Sequence, residues 1–465
     1  MLRRLAVLAV ALAAAGLLIA PSLLALSPGL ALSPADATQM RAAGLVLLTL
    51  GFWAMVVLPE FMTALIFFLV AMVLHIAPPT AVFSGFSSTA WWLVFGGMIV
   101  GAAVEKTGLG KRLARAVFGH LGNSYPQAVA AVALAAVALG FLMPSTMGRV
   151  VLLMPIVIAL SDRIGFAPGS RGRLGLAMTA ALATYVPTTG ILPASVPTSV
   201  LVGAAEQLYG IKLTYGPFLL QHFPVLGLGY VAILVPAATM LFRDTPKPRP
   251  DDATPAPMGR EERTLSWLLA VALVVYALDF LHHVSPAWVS LGAGLALLLP
   301  GIAIVSPKLF GERVNIAVLV YVAAIIGIGG VVEQTGLGAR IGVLLIQAAG
   351  LAPGHDAYNF AAIVVLAVLI GILTTLIPIP AVLGALAGDI AQASGFEVTT
   401  VLMIYVIGYA TVLLPYQSGP LVVAMQLGGV PARQGARLTL VMGSATVLVL
   451  APLAYMWWSL LGLVR

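Results

Sequence analysis

The sequence predicts an all-α polytopic membrane protein built from two inverted repeats. Three observations carry this prediction: the composition, a duplicated motif, and polar breaks inside apolar runs. The chain is 61% apolar and 8% charged, with a mean hydropathy of +1.08. A soluble domain carries about 25% charged residues, so there is too little polar surface here to wrap a water-soluble globule. Long apolar blocks, rather than short alternating segments, exclude a transmembrane barrel. The chain has no cysteine, which excludes disulfides and thiolate chemistry. Its net charge of +7 is what basic residues in loops on one side of a membrane produce, and it calls for no nucleic-acid partner.

Residues 1–20 read MLRR followed by sixteen apolar residues. This is either a signal peptide or an uncleaved first helix running to about Leu26; charge and length favour the helix. Apolar blocks follow at 42–58, 61–77 and 90–104, then the polar stretch Glu105 to Arg112. The next run, 128–160, is interrupted by Met143-Pro144-Ser145-Thr146-Met147-Gly148-Arg149. Each flank has about 15 residues, roughly 23 Å of helix against a bilayer core of ~30 Å. The pattern predicts a helical hairpin that enters the membrane and returns. Blocks at 174–192 and 217–241 complete the first half. The Pro-rich charged stretch 243–263 cannot pack a core and reads as a cytoplasmic linker. The pattern then resumes at 264–281, 287–305 and 314–332, with an interrupted run over 360–391 and blocks at 398–425 and 436–462.

The two halves correspond. Glu333 to Arg340 (EQTGLGAR) matches Glu105 to Arg112 (EKTGLGKR) at six of eight positions, with an offset of 228. Each copy ends the third block of its half and precedes an interrupted run, a recurrent feature of transporters. The organisation is then 1–41, an N-terminal helix and outer loop; 42–242, the first repeat; 243–263, the linker; and 264–465, the second repeat. Five spans and one hairpin per half, with the first helix, make about 11 spans plus two re-entrant hairpins, and the second half is inverted. Threaded with a cytoplasmic N-terminus in a cell inner membrane, 18 Lys and Arg residues fall inside. Only Arg41, Lys212, Arg340 and Arg465 fall outside, with Arg149 within the membrane.

Four stretches break the helical pattern: 144–146, 185–190, 374–380 and 415–420. Proline removes a donor and breaks a helix, and in lipid the freed carbonyls need a partner or a wet cavity. Half-helix N-termini aim positive charge at anions, and unwound carbonyls can hold a small cation. The candidate anion-binding residues are Ser145, Thr146, Arg149, Thr188, Thr189, Thr374, Thr375, Gln417 and Ser418. A cation inside a membrane segment is costly and marks function. Arg149 therefore either pairs with a substrate carboxylate or sulfate oxygen, or caps a carbonyl or pairs with an acid such as Asp162. Glu105 and Glu333 read as structural. No P-loop, HExxH or GxSxG motif is present, so nothing points to a soluble enzyme.

Several stretches resemble the divalent anion/sodium symporter (DASS) family of the ion-transporter superfamily: SGFSSTAWWLVFGGMIVGAAVEKTGLGKRLA, PSTMGRVVLLMPI and LLPYQSGPLVVAMQLGG. The resemblance implies scaffold parts at 42–122 and 264–350, elevator-type transport parts at 123–241 and 353–465, and a homodimer. It also implies sodium as coupling ion, with sites at Ser145, Gly190, Thr375 and Gly419. Family tips usually read Ser-Asn-Thr, whereas the three asparagines here, Asn123, Asn315 and Asn359, lie at no tip. Proton coupling and anion exchange therefore stay open beside sodium. The expected function is secondary active transport of a small anion such as a dicarboxylate or sulfate. The alternatives are a proton-coupled antiporter or exporter, or a membrane-embedded enzyme.

Overall fold

The computed structural model describes all residues except 1, 25–31, 55–56, 111, 113–123, 144, 246–256, 283, 374–375 and 465. Several residues named above fall outside this set: Pro144, Asn123, Thr374, Thr375, Arg465 and the middle of the linker. The described residues form helices and no strand. In chain order the helices are α1 (Leu2–Leu24), α2 (Pro34–Ala54), α3 (Glu60–Val73), α4 (Thr89–Thr107), α5 (Tyr125–Leu142), α6 (Thr146–Ile164), α7 (Arg171–Tyr185) and α8 (Val196–Tyr209). They continue with α9 (Tyr215–Leu241), α10 (Arg260–Ala277), α11 (Pro286–Leu298), α12 (Ile316–Gln334), α13 (Leu337–Ala349), α14 (Asp356–Leu373), α15 (Val398–Ala410), α16 (Gly419–Leu427) and α17 (Ala432–Leu460). Among the described residues, α5, α9, α12 and α17 are long and apolar enough to cross a membrane, and a fifth span counts if Ala387–Ser394 and α15, bent by 110°, are taken together.

The arms around the first interruption are longer than their apolar flanks. Helix α5 has 18 residues and α6 has 19, or roughly 27–29 Å at 1.5 Å per residue. The extra length comes from end signals. Ser124 accepts the Gln127 N–H and Pro126 sits in the first turn of α5, while α6 runs past Asp162 and Arg163 to stop at Gly165, whose φ of 87° is left-handed. The second interrupted run differs. Beyond α14 the chain re-forms only short helices, Ile379–Gly384 and Ala387–Ser394.

The chain divides into two compact units. The first comprises 1–91, 200–212 and 316–408, and the second 92–199, 213–315 and 409–465. In the first unit α12 forms the core, with Trp53 edge-on to Tyr321 at 4.9 Å. Tyr209 bridges the Gly384 carbonyl at 2.7 Å and the Gly388 N–H at 3.0 Å. In the second unit α7 is buried on every side from Leu174 to Tyr185, because small residues such as Gly175, Ala177, Ala180 and Ala181 let its neighbours approach.

The duplicated motif folds alike in both places. Thr107 bonds the Ala103 carbonyl at 2.9 Å and Thr335 the Val331 carbonyl at 2.7 Å. Gly108 and Gly336 take φ of 76° and 70°, which a side chain would strain, so glycine ends the helix in each copy. The arginine closing each motif pairs with an acid at the start of another helix. In the second unit Arg112 grips Glu262 of α10 bidentately, at 2.5 and 2.9 Å. In the first unit Arg340 meets Asp36 of α2 at 3.1 Å and Gln39 at 3.2 Å.

Candidate functional site

The second unit brings together three of the four breaks. Proline-187 and proline-415 stand 228 residues apart, the offset of the duplicated motif, and each starts a single 3₁₀ turn: Pro187–Gly190 and Pro415–Gln417. The residues of the first turn are fully buried.

At the first break, Ser145 caps α6 by accepting the Gly148 N–H at 3.1 Å. One turn later Arg149 is completely buried. Its Nη1 donates to the Met143 carbonyl, and its Nη2 to Thr146 Oγ1 at 3.1 Å, to the Thr184 carbonyl at 3.0 Å and to Thr188 Oγ1 at 2.8 Å. Thr188 in turn donates to the Thr184 and Tyr185 carbonyls. The guanidinium thus ties the start of α6 to the broken end of α7. Of the two roles expected for it, this geometry displays the carbonyl cap. Asp162 pairs with Arg173 instead. No carboxylate lies within ion-pair reach of Arg149 among the described residues, and its Nε has no partner there. Thr189 bonds the Val186 carbonyl at 2.7 Å and leaves its own carbonyl to Thr198 at 3.2 Å.

At the second break the Gln417 carbonyl oxygen accepts the N–H groups of both Leu413 and Leu414 at 2.8 Å. This fixes the orientation of the amide and leaves Nε2 as the free end. Gln417 Nε2 and the neighbouring Ser418 Oγ are buried and have no hydrogen-bond partner among the described residues. They sit at the N-terminus of α16, which opens with Gly419-Pro420.

Helix α7 packs against the segments on either side of the second break. Tyr185, at the C-terminal end of α7, donates to the Tyr409 carbonyl at 3.0 Å, just ahead of the second break. Ala177, about two turns earlier, lies where a Cβ on Gly428 at the far end of α16 would come within 2.7 Å. Helix α6 runs antiparallel to α7: its first turn bonds Thr184 and Thr188 at the end of α7, and Asp162 near its own end pairs with Arg173 near the start of α7. The N-terminus of α6, with its partial positive charge, lies at the C-terminal end of α7.

Of the expected residues, Ser145, Thr146, Arg149, Thr188, Thr189, Gln417 and Ser418 belong to this unit, as do Gly190 and Gly419. Thr374 and Thr375 lie outside the described residues. The sequence reading missed Thr184 and Tyr409, whose hydroxyl meets Thr198 at 3.2 Å. The spacings Thr146/Arg149 and Thr184/Thr188 put each pair on one helix face, a signal that could have found Thr184; Tyr409 offered none. Among the described residues no cluster of His, Asp or Glu could hold a metal ion.

Residues 45–410 match the family model described as citrate transporter. A membrane protein of Cupriavidus necator is 25% identical over 394 residues, covering 80% of this chain and 76% of that one. The inner membrane protein YbhI of Escherichia coli is 51% identical over 45 residues, 10% of this chain and 9% of that one. The crystal structure of the Alcanivorax borkumensis YdaH transporter, described as having an unusual topology, has the same fold at a TM-score of 0.54 and 16% identity, covering 82% of this chain and 88% of that one.

Proposed function

The chain belongs to the citrate transporter family, and from that premise we propose that it is a secondary active transporter of small carboxylate or sulfate anions. Membership makes it a multi-pass membrane transporter rather than an enzyme, in line with the resemblance to the DASS family. The observation that carries the anion reading is the pair of buried donors without partners, Gln417 Nε2 and Ser418 Oγ, at the start of α16. A buried donor left unsatisfied costs about 1–3 kcal/mol, and an anion seated there would satisfy both. The helix terminus adds a favourable field. Arg149 contributes a fixed positive charge at the first break of the same unit, with Thr146 and Thr188 bonded to it.

The finer architecture belongs to the same proposal. The two repeats are inverted, each with a re-entrant hairpin, and the protein works as an elevator-type homodimer of the inner membrane with a cytoplasmic N-terminus. The matched folding of the two TGLG motifs and the 228-residue spacing of the two proline turns support the repeat.

The test is uptake of radiolabelled citrate, succinate and sulfate into proteoliposomes under imposed sodium, proton and counter-anion gradients. Accumulation of one of these above its external concentration supports the proposal and identifies the coupling. Turnover or leak without accumulation of any of them overturns it.

A further inference from the structure

We propose that Arg149 is a built-in cation occupying an alkali-metal site, so that this break binds no sodium in the native protein and gains a sodium site when the guanidinium is removed. Four neutral oxygens converge on the guanidinium: the Met143 and Thr184 carbonyls and the Thr146 and Thr188 hydroxyls. Carbonyls of unwound helix ends with hydroxyls beside them are the ligand set that holds sodium in membrane transporters. A guanidinium, which has no acceptor and five donors, takes the same oxygens on Nη1 and Nη2.

The charge balance agrees. No carboxylate neutralises Arg149 among the described residues, so the site carries one uncompensated positive charge, as it would with a bound monovalent ion. The packing agrees too. A Cβ on Gly140 would stand 2.5 Å from Thr188 Cγ2, so the missing side chain on α5 is what lets Thr188 present its hydroxyl to Nη2. Ser145 and Gly190, the positions to which the family resemblance assigned sodium, flank a site already filled by a protein cation. The inference deepens the proposed function by naming the source of charge at the first break, and it rests on that reading only for its link to transport.

The test reads sodium binding without transport. Thermal unfolding midpoints of the purified full chain are measured in sodium chloride against choline chloride, for wild type, Arg149→Ala, Arg149→Lys and the Arg149→Ala/Thr188→Val pair. The expected result is a midpoint in Arg149→Ala that is low in choline and rises by at least ~3 °C with sodium. That rise should be absent from wild type and Arg149→Lys and lost in the double variant. A folded Arg149→Ala with no sodium-specific rise overturns the inference, as does an equal rise in wild type. Arg149→Ala that stays unfolded at every sodium concentration while Arg149→Lys folds overturns it as well, because sodium would then not replace the guanidinium. If these midpoints fail while wild-type proteoliposomes still accumulate anion, only this inference falls. If the midpoints behave as expected and no anion accumulates, the transport reading falls instead.

Discussion

The two proline turns of the second unit are built on one plan and treat their polar groups oppositely. Around Pro187–Gly190 the donors and acceptors close on one another, with Arg149 Nε as the exception among the described residues. Arg149 Nη1 and Nη2, Thr146, Thr184, Thr188, Thr189 and Thr198 all find partners within the protein. Around Pro415–Gln417 the chain consumes only the acceptor end of Gln417 and leaves two buried donors open. A membrane interior has no water to excuse an open donor, so the second turn needs something the chain does not supply. The first turn holds the architecture, and the second waits for a ligand.

Substitutions can break that contrast. The largest effect should come from Arg149→Met, which removes the guanidinium hydrogen bonds accepted by the Met143 and Thr184 carbonyls and by the Thr146 and Thr188 oxygens. Each unsatisfied group costs roughly 1–3 kcal/mol, so the unfolding midpoint should fall steeply, read by thermal unfolding in detergent. Gly140→Ala should come next. The new Cβ pushes Thr188 off Arg149, costing about 1–3 kcal/mol in the same assay; an unchanged midpoint would mean that the first turn is looser than it looks. Ser418→Ala should leave the midpoint nearly unmoved. It removes one donor to a charged ligand, about 1.5 kcal/mol or more, so the Kd for the transported anion should rise roughly tenfold. If Ser418→Ala instead lowers stability and spares affinity, the contrast is reversed.

The smallest effect lies at the linker. Hydrogen bonds from the Arg112 guanidinium hold the Glu262 carboxyl below its ordinary value. A carboxyl depressed in the folded state stabilises at neutral pH and loses that contribution as pH falls through its folded pKa. Glu262→Gln should therefore be less stable than wild type at pH 7, and the gap should narrow as pH falls below the ordinary glutamate value of about 4.3. Midpoints measured from pH 7 to pH 3.5 check this.

The helical membrane class and the transporter family were legible in the sequence because both rest on composition and order. The breaks were legible because proline and clustered hydroxyls punctuate a pattern wherever they fall. The lengths of α5 and α6 were not, since helices continue through polar ends that hydropathy discounts: Ser124 and Pro126 start one, and Asp162 and Arg163 lie inside the other. Nor was the role of Arg149. Its charge marked the position, but which oxygens its donors reach depends on Thr184, a threonine inside an ordinary-looking helix. The same limit applied to Gln417. Only the paired N–H groups of Leu413 and Leu414 reveal which end of its amide is free.

That free end can be tested directly. Gln417→Glu keeps an oxygen to accept from Leu413 and Leu414 and replaces the open donor with a negative oxygen. Calorimetric titration of the transported anion into purified wild type and Gln417→Glu, with both confirmed folded by their unfolding midpoints, isolates this one atom. Loss of measurable anion binding in Gln417→Glu with an intact fold is the result expected. Equal affinity in the two proteins would show that the anion does not sit at the second turn.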